Sequence, residues 1–116
     1  MTHRKKGKIL SRSASAKSAL MRSLVTNLVL YERIRTTLSK AQELQPLIER
    51  YVSLSKNNDL STRRQLLKFL YAENAVKKML EVLGPKYKDV KGGYTKVTKL
   101  GFRKGDGAPL VQIEFV

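Results

Sequence analysis

The residues best suited to a chemical role are six cations within the first seventeen positions. They are Arg4, Lys5, Lys6, Lys8, Arg12 and Lys17. They lie among small Gly and Ser residues, and no Asp or Glu accompanies them. A segment with so little apolar surface cannot offset the entropy lost when it becomes ordered. We therefore expect residues 1–15 to form a basic extended N-terminal arm that orders against an anionic partner. The alternative is a flexible solubilising tail.

This composition does not favour catalysis or metal binding. His3 is the only histidine and Cys is absent, so thiolate and multi-imidazole metal sites are excluded. No evident base accompanies Ser13, Ser15 or Ser39, and the glycine-rich stretches lack the GxxxxGK[ST] spacing of a phosphate loop. The sequence predicts a protein that is not an enzyme and has no cofactor and no small-molecule substrate.

The charge of the whole chain points to a polyanionic partner. Its 116 residues hold 24 Lys+Arg against 9 Asp+Glu, a net charge of +15. Residues 41–85 are nearly balanced, with seven cations and five acids, so the excess lies towards the two ends. Such an excess favours nucleic acid as the partner. No apolar run reaches the roughly 18 residues that span a membrane, and no secretory h-region is present, so we expect a cytoplasmic protein without membrane contact.

Helical periodicity predicts two helices in the first half of the chain. Ser13 or Ser15 should cap a helix that runs to about Tyr31, with an apolar stripe of Leu20, Met21, Leu24, Val25, Leu28 and Val29. Ser39 and Gln42 fit a capping box for a second helix with Ala41, Leu44, Leu47, Ile48, Tyr51 and Val52 towards the core. Pro46 should kink that helix or shift its start.

Two further helices are predicted before the C-terminal segment. Asp59 should cap one from Leu60 to about Tyr71, with its apolar face formed by Leu66, Leu67 and Leu70. Asn74 should cap the next, and Gly84-Pro85 should end it, with glycine in the left-handed C′ conformation. The basic face of Arg63, Arg64 and Lys68 is either solvated surface or a site of RNA contact.

Period-two patterns predict three strands. The first covers Glu32 to Leu38, with Arg33 and Arg35 on one face. The stretches from Tyr94 to Phe102 and from Leu110 to Val116 should pair as a β-hairpin around a glycine-rich turn. The predicted fold class is α/β (α+β): about four helices packed on a small sheet of roughly three strands. Residues 16–116 should form a single α/β domain.

Four motifs resemble those of the bacterial large-subunit ribosomal protein L17 family. They are HRKKGKILSR at the N-terminus, ERIRTTLSKAQEL after the first helix, GGYTK, and the C-terminal RKGDGAPLVQIEFV. They occur in the family's order and extend over nearly the whole chain. The resemblance implies a structural constituent of the large subunit that binds its rRNA near the polypeptide exit region, beside neighbouring ribosomal proteins and not as a homo-oligomer.

The resemblance and the charge pattern together predict the RNA-binding residues. They are His3, Arg4, Lys5, Lys6, Lys8, Arg12, Lys17, Arg22, Arg35, Lys40, Tyr94, Lys96, Lys99, Arg103 and Lys104. Tyr94 has a second interpretation, as a core residue. Gln45 stands where the family often has a basic residue, which argues against RNA contact there. The rival functions are a non-specific DNA-architectural (nucleoid) protein and, more remotely, an enzyme acting on RNA.

Overall fold

Five helices and three strands follow one another between residues 14 and 116, the part of the chain that this computed structural model describes. In order they are α1 (Ala14–Tyr31), β1 (Arg33–Thr37), α2 (Leu38–Ser55), α3 (Leu60–Leu70), α4 (Glu73–Lys78), a π-helical turn (Met79–Leu83), α5 (Gly84–Lys86), β2 (Thr95–Phe102) and β3 (Pro109–Phe115). The π turn joins α4 to α5 without a break, which leaves four continuous helical segments. The predicted α+β class is confirmed. The predicted arm lies almost entirely outside the described residues, although its last two positions, Ala14 and Ser15, already belong to α1.

The sheet is antiparallel with the strand order β1-β3-β2, so β3 is the central strand. The predicted hairpin is confirmed, because β2 and β3 pair around the glycine-rich turn. Val111, Ile113 and Phe115 alternate along β3 and are buried, whereas the residues between them are only half-buried. Since successive side chains of a strand point to opposite faces, one face of the sheet packs on the helices.

The core lies between that face and the four helical segments. It contains Val25, Leu28 and Val29 of α1, Leu44, Ile48 and Val52 of α2, Leu66 and Leu70 of α3, Met79, Leu80 and Leu83 of the π turn, and Ile113 and Phe115 of β3. The predicted apolar faces of α1 and α2 supply much of this set. In α3 the prediction for Leu67 is wrong, because its side chain is 38% exposed.

Two helix starts differ from their predictions. The capping box of Ser39 is wrong, because β1 runs directly into α2 and Thr37 occupies the N-cap position without a side-chain hydrogen bond. Asn74 is also wrong as a cap: α4 begins at Glu73, and the Asn74 Oδ1 atom accepts only from the Ala75 amide at 2.9 Å. Ser15 lies inside α1, and Ser13 lies outside the described residues.

Pro46 lies inside α2, which is continuous over eighteen residues from Leu38, so it does not shift the start of the helix, and the kink stays a prediction. The proline ring removes the amide that would donate to the carbonyl of Gln42. Both residues are exposed, so water can hydrate that carbonyl. The predicted cap at Asp59 is confirmed, because its Oδ1 accepts from the Thr62 amide at 2.8 Å.

The predicted stop at Gly84-Pro85 is wrong. Gly84 has right-handed dihedral angles (φ −56°, ψ −55°), and the chain continues into α5. The reason for glycine is a tertiary contact: a Cβ atom there would lie 2.3 Å from the carbonyl oxygen of Ser55 at the end of α2. Gly84 therefore permits the close approach of two helices, a requirement that local sequence does not reveal.

Candidate nucleic-acid interface

The face of the sheet that points away from the helices carries a cluster of cations. We call this surface the open sheet face, and it consists of Arg33 and Arg35 on β1, Gln112 and Glu114 on β3, and Lys96 and Thr98 on β2. In register, Arg33 and Lys96 flank Glu114 from either side, and Arg35 and Thr98 flank Gln112. These flanking side chains are all exposed.

The charge on the open sheet face is only partly compensated. The Lys96 Nζ atom lies 4.0 Å from Glu114 Oε1, and Gln112 Nε2 donates to the same oxygen at 3.3 Å. The open sheet face thus carries three cations and one carboxylate, and only Arg33 and Lys96 flank that carboxylate. Guanidinium and ammonium groups have several donors each, so Arg33, Arg35 and Lys96 retain free donors for phosphate oxygens. Arg33 was absent from the predicted set, although its alternation with Arg35 already placed both on one face.

The turn of the hairpin is held by its own ion pair. The Arg103 Nε atom donates to Asp106 Oδ1 at 3.0 Å, and a second guanidinium nitrogen contacts Oδ2. The Ala108 amide also donates to Asp106, at 3.1 Å. The Arg103 hydrogen bond, followed by that amide, holds the pKa of Asp106 well below its usual range. Arg103 therefore shapes the turn, and its charge is compensated.

The remaining cations of the hairpin are Lys99 and Lys104, which are both exposed. No ion pair to either is present within residues 14–116. Lys99 pairs with Val111 and so points to the opposite side of the sheet from Lys96. A β-bulge follows Lys99, next to Gly101, whose φ of +122° suits glycine. The hairpin thus presents its cations in two directions.

Phe102 is a hairpin residue that the sequence analysis missed. Its side chain is 75% exposed, beside the basic pair of the turn. It lines a cleft of about 240 Å³ together with Leu38, Lys99, Gly101, Pro109, Leu110 and Val111. An exposed ring beside cations can stack on an unpaired base. Its position next to Arg103-Lys104 was the available signal.

Tyr94 is the predicted contact residue that the structure removes from the surface. Its side chain is 1% exposed, and its hydroxyl oxygen lies 2.9 Å from Ser53 Oγ and 3.2 Å from the Val90 carbonyl oxygen. The hydrogen bonds from Lys56 and Ser53 lower the pKa of Tyr94. No ring face is free for a base, so Tyr94 is a core residue and we leave it out of the interface.

A carboxylate on α2 fixes the start of β2. Glu49 accepts hydrogen bonds from the amides of Gly93 at 2.8 Å and Tyr94 at 2.9 Å, and from Thr95 Oγ1 at 3.3 Å. Gln45 adds a bond from its Nε2 to Thr95 Oγ1 at 3.2 Å. Gln45 therefore ties α2 to the sheet. These contacts hold the GGYTK motif in place, and nothing in the local sequence indicated Glu49.

The other predicted contact residues are on the helices. The Lys17 Nζ atom lies 3.8 Å from Glu43 Oε1, so this half-buried cation pairs with α2. Lys40 is half-buried in the first turn of α2. Arg22 packs on aromatic rings, with its guanidinium carbon 4.4 Å from the Tyr71 ring centre. The predicted residues His3, Arg4, Lys5, Lys6, Lys8 and Arg12 lie outside the described residues.

Other kinds of site find no support in the described residues. Between residues 14 and 116, no cluster of three or more His, Cys, Asp or Glu side chains could hold a metal ion. None of the helices there is long and apolar enough to cross a membrane.

The fold and its surface define a class: small, strongly basic α+β proteins that present cations on an open sheet and a hairpin. The model of the family described as "Ribosomal protein L17" matches residues 20–116. The chain belongs to the ribosomal protein L17 family. This is a family of ribosomal structural proteins, not of enzymes.

Three relatives illustrate the match, each named "Large ribosomal subunit protein bL17". The one from Rickettsia bellii is 45% identical over 116 residues, which are all of this chain and 82% of the relative. The one from Thermoanaerobacter sp. is 47% identical over 107 residues, 92% of this chain and 96% of the relative. The one from Caldanaerobacter subterraneus is 44% identical over the full length of both.

Proposed function

We propose that this chain is a structural constituent of the large ribosomal subunit that binds and stabilises its rRNA. The basic arm and the basic hairpin loop are the proposed contacts, joined by the open sheet face. The observation that carries the proposal is the cluster of exposed cations on the open sheet face, in a chain of net charge +15 that belongs to a ribosomal protein family. Such a protein would act on the cytoplasmic ribosome.

The physical argument rests on phosphate neutralisation. Each phosphate contact from Lys or Arg releases bound counterions, so affinity falls as salt rises. Phosphate contacts position a protein, whereas base contacts give it sequence preference. Arg33, Arg35 and Lys96 lie on paired strands and so keep a fixed mutual spacing. A rigid array of this kind suits a folded RNA, whose phosphates also have fixed positions.

The arm adds charge beyond the fixed array. Residues 1–12 hold five Lys+Arg and no acid. A chain with so few apolar residues suits passage between RNA segments that lie close together. The location near the polypeptide exit region rests on the sequence resemblance alone. Density for the chain in an electron-microscopy map of the large subunit tests it.

Binding to isolated rRNA and sedimentation with large subunits test the function. The double variant Arg35→Gln/Lys96→Gln should bind rRNA several-fold more weakly, since two phosphate contacts are lost. Deletion of residues 1–12 should weaken binding by about tenfold or more, because five cations are removed. The control is Lys77→Gln/Lys88→Gln, which removes two charges from exposed positions in α4 and in the turn after α5, outside the open sheet face.

The sedimentation and binding measurements can contradict the proposed function. The proposal requires that the chain sediment with the large subunit in high salt and that the control variant bind rRNA as the unchanged protein does. Equal affinity for random duplex DNA and rRNA, without sedimentation with large subunits, would contradict it and favour a DNA-architectural protein.

A further inference from the structure

A second surface, on the helices, has the chemistry of a nucleotide site. The C-terminal half of α2 and the last turns of α3 meet α1 around a groove of about 720 Å³. We call it the three-helix groove, and it is lined by Arg22, Arg50, Tyr51, Ser53, Leu54, Gln65, Lys68, Phe69 and Tyr71. Sites for small ligands have volumes of about 300–1,000 Å³, so this groove has room for one nucleotide.

The lining of the three-helix groove is cationic without compensation. Arg22, Arg50 and Lys68 each come from a different helix, and no carboxylate lies among the lining residues. Arg50 and Lys68 are exposed. Converging cations without an acid favour an anionic ligand. Gln65, which is also exposed, adds an amide that can both donate and accept a hydrogen bond.

The aromatic residues of the groove form a stacking surface. The Tyr51 and Phe69 rings stack with their centres 4.4 Å apart. The Arg22 guanidinium carbon lies 4.4 Å from the Tyr71 ring centre and 5.8 Å from that of Phe69. Tyr71 ends α3 in the left-handed conformation (φ +57°) and is 69% exposed. Arg22 is near one side of the Tyr71 ring, and most of the ring remains accessible.

Arg22 also has an unmet hydrogen-bonding requirement. Its Nε–H group is buried and has no hydrogen-bond partner within residues 14–116. Burial of a donor without a partner costs free energy, so such groups usually have an explanation. The Arg22 side chain lines the three-helix groove. A polar acceptor that enters the groove and displaces a neighbouring side chain would satisfy this buried donor.

We propose that the three-helix groove binds one unpaired nucleotide of a single-stranded RNA segment. The base stacks on Tyr71, Gln65 meets its edge, and Arg50 and Lys68 contact the flanking phosphates. Bases of single-stranded RNA stack on aromatic side chains and on guanidinium planes. This inference rests on the proposed function, since it gives the protein a second rRNA contact. The groove contact differs from that of the open sheet face because it requires an exposed base.

Binding of the full chain to a short oligoadenylate, compared with duplex RNA of the same charge, tests the groove. Tyr71→Leu should weaken binding to the single strand at least about fivefold, because one stacked base is lost. Binding to the duplex should not change, because its bases are paired. Tyr31→Leu is the matched control, since Tyr31 is also 69% exposed but lies at the end of α1, outside the groove lining. Tyr71→Phe keeps the ring and should keep the affinity.

Three results of the binding measurements would overturn the groove inference. They are an unchanged single-strand affinity for Tyr71→Leu, an equal loss for single strand and duplex, and an equal loss for Tyr31→Leu. Ultraviolet crosslinking of assembled large subunits adds a further measurement, in which the peptide containing Tyr71 should carry a nucleotide. A crosslink from that peptide to a protein would overturn the inference in favour of a protein partner.

The measurements distinguish failure of the groove inference from failure of the proposed function. If Arg35→Gln/Lys96→Gln weakens rRNA binding and Tyr71→Leu has no effect, the groove inference alone is wrong. If no variant changes binding and the chain does not sediment with large subunits, the proposed function itself is wrong.

Discussion

The two strands of the C-terminal hairpin pair with each other, yet they differ in where their side chains lie. In β3 every second side chain from Val111 to Phe115 is buried in the core. In β2 only Thr95 is buried and the remaining seven residues are exposed. The central strand therefore contributes to the core, whereas the edge strand leaves its side chains on the surface. Hydrogen bonds to β3 and the Glu49 contacts at its start position β2, which leaves its other side chains available for binding.

The largest expected effect is on the free energy of unfolding, at one cross-strand pair of residues in the hairpin. Val97 of β2 lies opposite Ile113 of β3. Ile113→Ala should lower the free energy of unfolding by about 2–5 kcal/mol, because Ile113 is fully buried and a cavity would remain. Val97 is 37% exposed, so Val97→Ala should cost less than about 1 kcal/mol. Denaturant unfolding measures both, and equal losses would remove the distinction between the strands.

An intermediate effect is expected where β2 is attached to the helices. Glu49→Ala removes the carboxylate that accepts from the Gly93 and Tyr94 amides, and should destabilise the protein by about 1–3 kcal/mol. Glu43→Ala is a comparable change in the same helix, and Glu43 has its own partner in Lys17. Hydrogen exchange should report faster opening of β2 in the Glu49 variant than in the Glu43 variant. Equal protection of β2 in both variants would show that Glu49 does not hold the strand.

The smallest effect concerns pH at the hairpin turn. The pKa of Asp106 in the folded chain is depressed from its ordinary value of 3.8, chiefly by the Arg103 hydrogen bond. The stabilisation is therefore complete above that ordinary value and disappears as the pH falls through the lower, folded-state pKa. Carbon-detected NMR should find the Asp106 carboxyl still ionised below pH 3.8. Arg103→Gln should raise its pKa towards the ordinary value, and an unchanged titration would contradict the ion pair.

Sequence patterns predicted the features that depend on neighbouring residues. The alternation of Val111, Ile113 and Phe115 predicted the buried face of β3, and Asp59 caps α3 as its position indicated. The predictions failed where another part of the chain determines the local structure. Gly84 is required by the carbonyl group of Ser55, and Ser39 is not a cap because β1 joins α2 without a loop.

The residues of the candidate sites likewise divide into those that local sequence predicted and those that it did not. Arg35 and Lys96 were predicted, and the register brings them onto one face with Arg33. Arg22 was predicted as a contact residue and Lys68 was considered as one, but the three-helix groove was not predicted, because its cations are far apart in sequence on three helices. Tyr94 carried two interpretations, and only burial could decide between them. Residues assembled from separate elements give no local signal of their common surface.

The most direct measurement of the central claim is the salt dependence of rRNA binding. If about eight phosphates are neutralised, the logarithm of the binding constant should fall with the logarithm of salt concentration at a slope of roughly −6. Arg35→Gln/Lys96→Gln should make the slope shallower by about 1.4, at roughly 0.7 for each lost contact, whereas Lys77→Gln/Lys88→Gln should leave it unchanged. An identical slope for the unchanged protein and both variants would contradict the account that the open sheet face neutralises rRNA phosphates.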